Sequence, residues 1–249
     1  MTASSSGSVA ALFVLFFLGM ASVALAQLPG GANSFNPALL QLFDGHKAFS
    51  ARAELRVLDP QRRETIRTSI QMAYLNGKVR AEVSLSSITS QRMSTDALDL
   101  FKQAGMDPVV SVLLPDRKVS IVSFPTVKVF AEEPMGPEEA AEFGTRFSVT
   151  KTLLGKEVVA GESCDKSSIS ITSTKGASLK GTIWAAPALK GFPLRIQLPE
   201  GENLMEMTFT DVKLTAPGAE SFEAPKGFRR YEGMDKLIAD RMQSLTGVK

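Results

Sequence analysis

The chain has 249 residues with 28 Lys and Arg against 26 Asp and Glu, a formal charge of +2, and 44% apolar positions. This is the make-up of a folded globular protein, which excludes disorder, collagen and coiled coil. One histidine, His46, and one cysteine, Cys164, exclude an internal disulfide, a two-histidine zinc site and a cysteine-ligated cluster. The near balance of charge gives no electrostatic basis for binding nucleic acid, which needs clustered basic excess.

Met1 to Ala26 carries no charged side chain, and Val9–Leu18 is an apolar run followed by Ala24-Leu25-Ala26. That is the pattern of an export signal cleaved before Gln27, and the run is too short for the span of about 20 apolar residues that crosses a bilayer. The expectation is an exported protein, periplasmic or secreted, with no integral span after cleavage; the alternative, since the basic stretch usual at the start of a signal is absent, is an uncleaved N-terminal anchor. Removing 26 of 249 residues leaves 223, enough for one domain. Gln27–Pro37, rich in Gly, Pro and Asn, is a flexible leader, and Ala38–Phe43 a short helix. Residues 45–249 are then a single domain, with residues 27–44 its leader and short helix.

From Phe49 the apolar period is two: Phe49, Ala51, Ala53, Leu55 and Val57 alternate with Arg52, Glu54 and Arg56, as in a half-buried strand. Asn76-Gly77 then predicts a two-residue hairpin turn, which pairs residues whose numbers sum to 153. Ile70 falls opposite Val83, Met72 opposite Ala81, Tyr74 opposite Val79 and Thr68 opposite Leu85. One face is apolar and the other holds Arg80, Gln71 and Glu82, and a slip of one residue would mix the two.

Ala97, Leu98, Phe101 and Ala104 have helical spacing, with Ser94 or Thr95 as cap and Gly105 as stop. Short strands follow at 109–114, 119–124 and 126–131, the first two joined by a turn at Pro115-Asp116-Arg117-Lys118. Gly136-Pro137-Glu138-Glu139 opens a short acidic helix. Strands resume at 153–160, 165–173, 180–186, 193–198 and 203–214. Met234, Leu237, Ile238, Met242 and Leu245 form the stripe of a closing helix. About eleven strands with short turns and three or four helices indicate an α+β chain with an antiparallel sheet.

Several phrases now resemble a known group: Leu154-Gly155-Lys156-Glu157, Gly161-Glu162-Ser163-Cys164-Asp165-Lys166, Thr182-Ile183-Trp184-Ala185-Ala186, Phe192-Pro193-Leu194-Arg195 and Phe222-Glu223-Ala224-Pro225-Lys226-Gly227-Phe228. They are similar to a bacterial domain-of-unknown-function family in or near the superfamily of the periplasmic lipoprotein carriers LolA and LolB, over about residues 45–240. The resemblance implies a strongly curved, incomplete β-barrel of about eleven strands, with a few helices over a concave apolar face that accepts acyl chains.

Candidate chemistry is sparse. Ser163-x-x-Lys166 and Ser148-x-x-Lys151 have the form of a serine–lysine pair, but two occurrences are what chance supplies in so Ser- and Lys-rich a chain, and the companion motifs are missing. His46 reads as a helix-end histidine. The acids Glu132, Glu133, Glu138, Glu139 and Glu142 lack calcium-loop spacing and suit a helix N-terminus. Arg62-Arg63 and Arg229-Arg230 read as solvated turns. No catalytic residue, metal site or cofactor is expected. The apolar ladder Ile70, Met72, Tyr74, Val79 and Val83, together with Trp184, is the candidate lining of a ligand cavity. Met72, Met93, Met106, Met135, Met205, Met207, Met234 and Met242 add unbranched side chains suited to variable apolar shapes, or to plain core packing. The expected function is non-catalytic binding of a lipid or acylated protein in the concavity. The alternative is a protein–protein interaction module of the cell envelope with a filled core.

Overall fold

The computed structural model describes residues 37–90, 95–176 and 178–246. The export signal, the leader to residue 36 and the helix cap at Ser94 lie outside the described residues. Thirteen strands form one sheet, two more than the sequence count.

In chain order, Pro37–Leu40 is a short helix, α1, extended by a 3-10 turn to Phe43. β1 (Ala48–Leu58), β2 (Glu64–Leu75) and β3 (Lys78–Val83) follow. The predicted face of β1 is the buried one: Phe49, Ala51, Ala53, Leu55 and Val57. The β2–β3 register has the predicted sum, from Ile70 opposite Val83 to Leu75 opposite Lys78. Asn76 and Gly77 both take positive φ, as the hairpin turn requires. The extension to Thr68 and Leu85 fails, because β3 ends at Val83 and Leu85 starts a 3-10 turn, where the Asp107 carboxylate accepts from its backbone N–H at 2.8 Å.

β4 (Thr89–Ser90) is a short addition beside β2, and α2 spans Thr95–Gln103. β5 (Val109–Leu114) and β6 (Val119–Phe124) have the expected bounds. β7 (Val129–Pro134) begins three residues later than expected, because Pro125–Val127 forms a 3-10 turn that ends in left-handed Lys128. After α3 (Pro137–Phe143), the second half runs β8 (Phe147–Val159), β9 (Glu162–Ser173), β10 (Ser178–Ala186), β11 (Phe192–Glu200) and β12 (Asn203–Lys213). β13 (Arg229–Tyr231), too short to carry a period, pairs parallel with β7, and α4 (Met234–Thr246) closes the chain.

The strand order is β13-β7-β6-β5-β3-β2-β1-β12-β11-β10-β9-β8. β1 joins the two halves through β2 on one side and β12 on the other. The connection from β7 to β8 shows why the sheet must curl. Ten inter-strand steps separate these strands, about 48 Å in a flat sheet. The 13 residue steps from Pro134 to Phe147, seven of the residues helical, reach only about 30 Å. A flat sheet is therefore impossible, and curvature brings the two ends towards each other. Among the described residues β8 and β13 do not pair, so the barrel is incomplete.

The sheet curls around its apolar face. One cluster joins the inward residues of β1–β3 and β9–β12 to Leu39 and Phe43 of the N-terminal segment, Leu98 and Phe101 of α2, and Met234, Leu237 and Ile238 of α4. Glu133 fixes the start of α4 by accepting from the Met234 N–H at 2.5 Å. A second, smaller cluster lies on the other side of the sheet. There Phe222, from the stretch after β12, covers Val110, Val112, Leu114, Ile121 and Phe130.

Candidate functional site

The apolar ladder and its rim. The register brings Ile70, Met72, Tyr74, Val79 and Val83 onto one face, shared with Ala53 and Phe209. All five are buried in the main cluster, none more than 8% exposed. The reason is a knot of rings at one end of the sheet. Phe43, Phe49, Phe192 and Phe209 are each 0% exposed, with ring centroids 5.0–5.6 Å apart. Tyr74 stacks on Phe49 at 5.4 Å, and His46 meets the edge of Phe192 at 5.3 Å. Edge-to-face and tilted contacts at such distances are favourable beyond the area they bury. Part of the expected concavity is thus occupied by the chain's own rings. The methionines concentrate here too, since Met72, Met106, Met205, Met207 and Met234 all lie in the main cluster.

Trp184 is 3% exposed and joins the same main cluster as the ladder, next to a register shift on β10, with its backbone opposite Arg195 and Lys166. Its indole N–H donates to the Glu157 carboxylate at 2.6 Å, and Lys166 donates to the same carboxylate at 2.6 Å. Lys166 and Arg195 lie over the ring at 5.1 and 5.4 Å from its centroid. The bonds from Lys166 and Trp184 hold the Glu157 carboxyl below its usual range. The indole is thus a fixed part of the packing, tied by its N–H to a carboxylate and flanked by two cations.

The serine–lysine pairs resolve the same way. Residues three apart on a strand point to opposite faces, so Ser163 and Lys166 on β9, and Ser148 and Lys151 on β8, are held apart. Lys166 is engaged by Glu157, and Ser148 donates to the Thr172 carbonyl at 3.4 Å. Burial pushes the Cys164 thiol up, away from the reactive thiolate. Burial is also the first cause that lowers His46, followed by Lys190 and Lys151. Of the acids, Glu132 pairs with Arg117 and Arg230, and Glu133 holds α4. Among the described residues no group of three or more His, Cys, Asp or Glu is gathered as metal ligands would be.

The sequence did not single out the rim. β8 is an edge strand whose first part, Phe147 and Val149, packs on the core, while its second part is bare. Leu153 is 63%, Leu154 56% and Val158 72% exposed. Leu153 lies opposite the buried Ser167, on the inner face of the sheet, whereas Val158, opposite the exposed Ser163, faces solvent beside the buried Val159. The register shifts between Leu153 and Gly155, leaving Leu154 with no residue opposite, and Gly155 takes φ 150 at that bulge. A bulge re-aims side chains and is a recurrent feature of sheet edges. The signal was present in the sequence as Leu153-Leu154 beside Gly155, but alternation alone reads it as buried strand.

No family model and no curated protein matches the chain. Among solved structures it is similar to the lipoprotein LppX of Mycobacterium tuberculosis, at 12% identity and a TM-score of 0.39, over 72% of this chain and 93% of that one. It is also similar to LprF of Mycobacterium bovis, at 12% identity and 0.37, over 73% and 94%. A third, a protein of Nitrosomonas europaea, carries the LolA superfamily name that the sequence phrases suggested, at 12% identity and 0.35, over 76% and 97%.

Proposed function

We propose that this is an exported, non-catalytic protein that binds an apolar ligand, a lipid or the acyl chain of a modified protein, at the β8 rim of its curved sheet. The observation that carries the reading is the exposure of Leu153 on the face of the sheet that buries the core, beside the exposed Leu154 and Val158 of the same edge strand. Water-exposed apolar side chains continuous with a core are the usual mark of an unfilled binding surface. Each methylene buried there contributes about 0.8 kcal/mol, so an acyl chain needs no polar anchor to bind. The rim is the mouth. The ladder of Ile70, Met72, Tyr74, Val79 and Val83 is the floor, reached only when the segment that carries Phe43 is displaced. The export part of the proposal rests on the uncharged Met1–Ala26 stretch. Among the described residues no helix is long and apolar enough to cross a membrane.

The test is native mass spectrometry and solvent extraction of the purified chain, with the variants Leu153→Asp and Val158→Asp. Lipid that accompanies the parent and is lost from both variants, with melting temperatures unchanged, supports the reading. A parent that carries no lipid, and takes none from vesicles, overturns it. A second reading, an interaction module with a filled core, is favoured by the full burial of Phe43, Phe49, Phe192 and Phe209. In that case β8, a long strand with one unpaired edge, is where an extended peptide would add as a further strand.

A further inference from the structure

The polar outer face of the sheet holds a pocket that the apolar-ligand reading does not use. It encloses about 240 Å³ where β12, β1, β2 and β3 run side by side. Its floor is short, because Ser50 of β1 pairs with Ala73 of β2. Its two flanks are basic: Lys213 lies opposite Ser50 on β12, and Arg80 lies opposite Ala73 on β3. Arg52 and Gln71, paired with each other one step along, close one end.

The cleft exists because of a bulge. Between Arg52 and Ser50 the register on β12 jumps from Thr210 to Lys213, and Asp211 sits in the left-handed region at φ 53. The extra residue shifts the alternation, so Lys213 shares the outer face with Ser50 rather than pointing to the core. Without it the row would lack one of its cations.

The geometry points to a binding site for a phosphate ester in this pocket. Three cations line it against one carboxylate, Asp211. The Arg52–Asp211 contact is long, 3.8 Å, between side chains 56% and 73% exposed, so solvent screens it and an incoming anion displaces it at little cost. Arg80 gives one N–H to Glu82 at 2.7 Å and retains its other guanidinium donors. Lys213 makes no ion pair among the described residues. Ser50 and Gln71 add neutral hydrogen-bonding groups beside the charge. Lys213 and Arg80 stand three inter-strand steps apart, about 14 Å across the backbone. Between them lie the small floor residues Ser50 and Ala73, leaving room for a compact anion such as a tetrahedral dianion or a phosphodiester. The volume is below the roughly 300 Å³ at which pockets hold drug-sized ligands, so the recognised part is the phosphate group and its nearest substituents. It comes either from a soluble phosphate ester or from the headgroup of an anionic phospholipid.

The test is calorimetric titration of the full chain at low salt with glycerol phosphate, in parallel with flotation on vesicles of phosphatidylglycerol and of phosphatidylcholine. The variants are Arg52→Gln with Lys213→Gln, both at exposed positions, and Arg80→Lys as the conservative change. The expected result is saturable binding that weakens at least about tenfold in the double variant, with an unchanged melting temperature. Binding of glycerol phosphate identifies a soluble ester. Binding to phosphatidylglycerol vesicles alone, lost in the double variant, identifies the headgroup. The site is refuted if neither probe binds the parent, or if the double variant binds as the parent does. Neither outcome bears on Leu153 or on the lipid content that tests the apolar rim.

Discussion

The β5–β7 end of the sheet and the β8–β9 end use strands of the same kind to opposite effect. In β5 and β6 both faces are apolar: Leu113 and Val122 join the main core, while Val112, Leu114 and Ile121 lie under Phe222 on the other side. Such strands are covered twice, by helices within and by the chain after β12 without. β8 is covered on neither side along its second part. Its residues from Thr150 to Val158 are exposed or, at Gly155, half-exposed, and three of them are large and apolar. A strand can leave leucines in water at an edge without unfolding because its hydrogen bonds to β9 do not depend on them. The comparison teaches that apolarity at one end serves stability, and at the other is left in contact with water.

The sharpest way to break this contrast is at the ring knot. Phe209→Ala should cost about 3–5 kcal/mol in denaturant unfolding, the price of an empty site in solid core. A loss below about 1 kcal/mol would mean that the knot is loose, and that the concavity holds more space than its burial implies. Phe222→Ala tests the outer cover at the β5–β7 end. It should cost about 3 kcal/mol, since its ring is as buried as a core ring yet lies in a smaller cluster. If that variant is neutral, the β5–β7 end is not covered twice and the contrast fails.

The smallest effect is on pH. His46 titrates in the folded chain below its ordinary value of 6.5, because burial and the nearby Lys190 and Lys151 disfavour its charge. In the unfolded chain the proton binds first as pH falls. Its contribution to stability is therefore complete above about pH 6.5 and is lost progressively as pH descends through the lower folded value. Melting temperatures across this window should fall with acid in the parent, and fall less in His46→Phe. An identical slope in both would show that another group carries the dependence.

Much of the fold was legible because local rules agree with each other there. Asn76-Gly77 sets a turn, the alternation on each side sets a register, and both give Tyr74 opposite Val79. Pro115 marked its turn, but the strand expected from residue 126 was started too soon, because the 3-10 turn at Pro125–Val127 and the left-handed Lys128 leave no trace in composition. The candidate site was legible only as a set of apolar positions. The rim was missed because exposure of Leu153 depends on what is absent above it.

By itself the sequence determined most of the strands, the long hairpin, the inner apolar stripe and the exclusion of an internal disulfide and of two-histidine or cysteine-ligated metal sites. These follow from spacing and residue counts, which are properties of the chain alone. Only the tertiary structure decided which stripe is capped and which is bare, that Phe43 packs inside the concavity while Leu153 stands at its edge, and that a bulge at Asp211 puts Lys213 on the face that carries Arg80. Burial is a relation between distant segments, and no local pattern states how far a neighbouring element reaches.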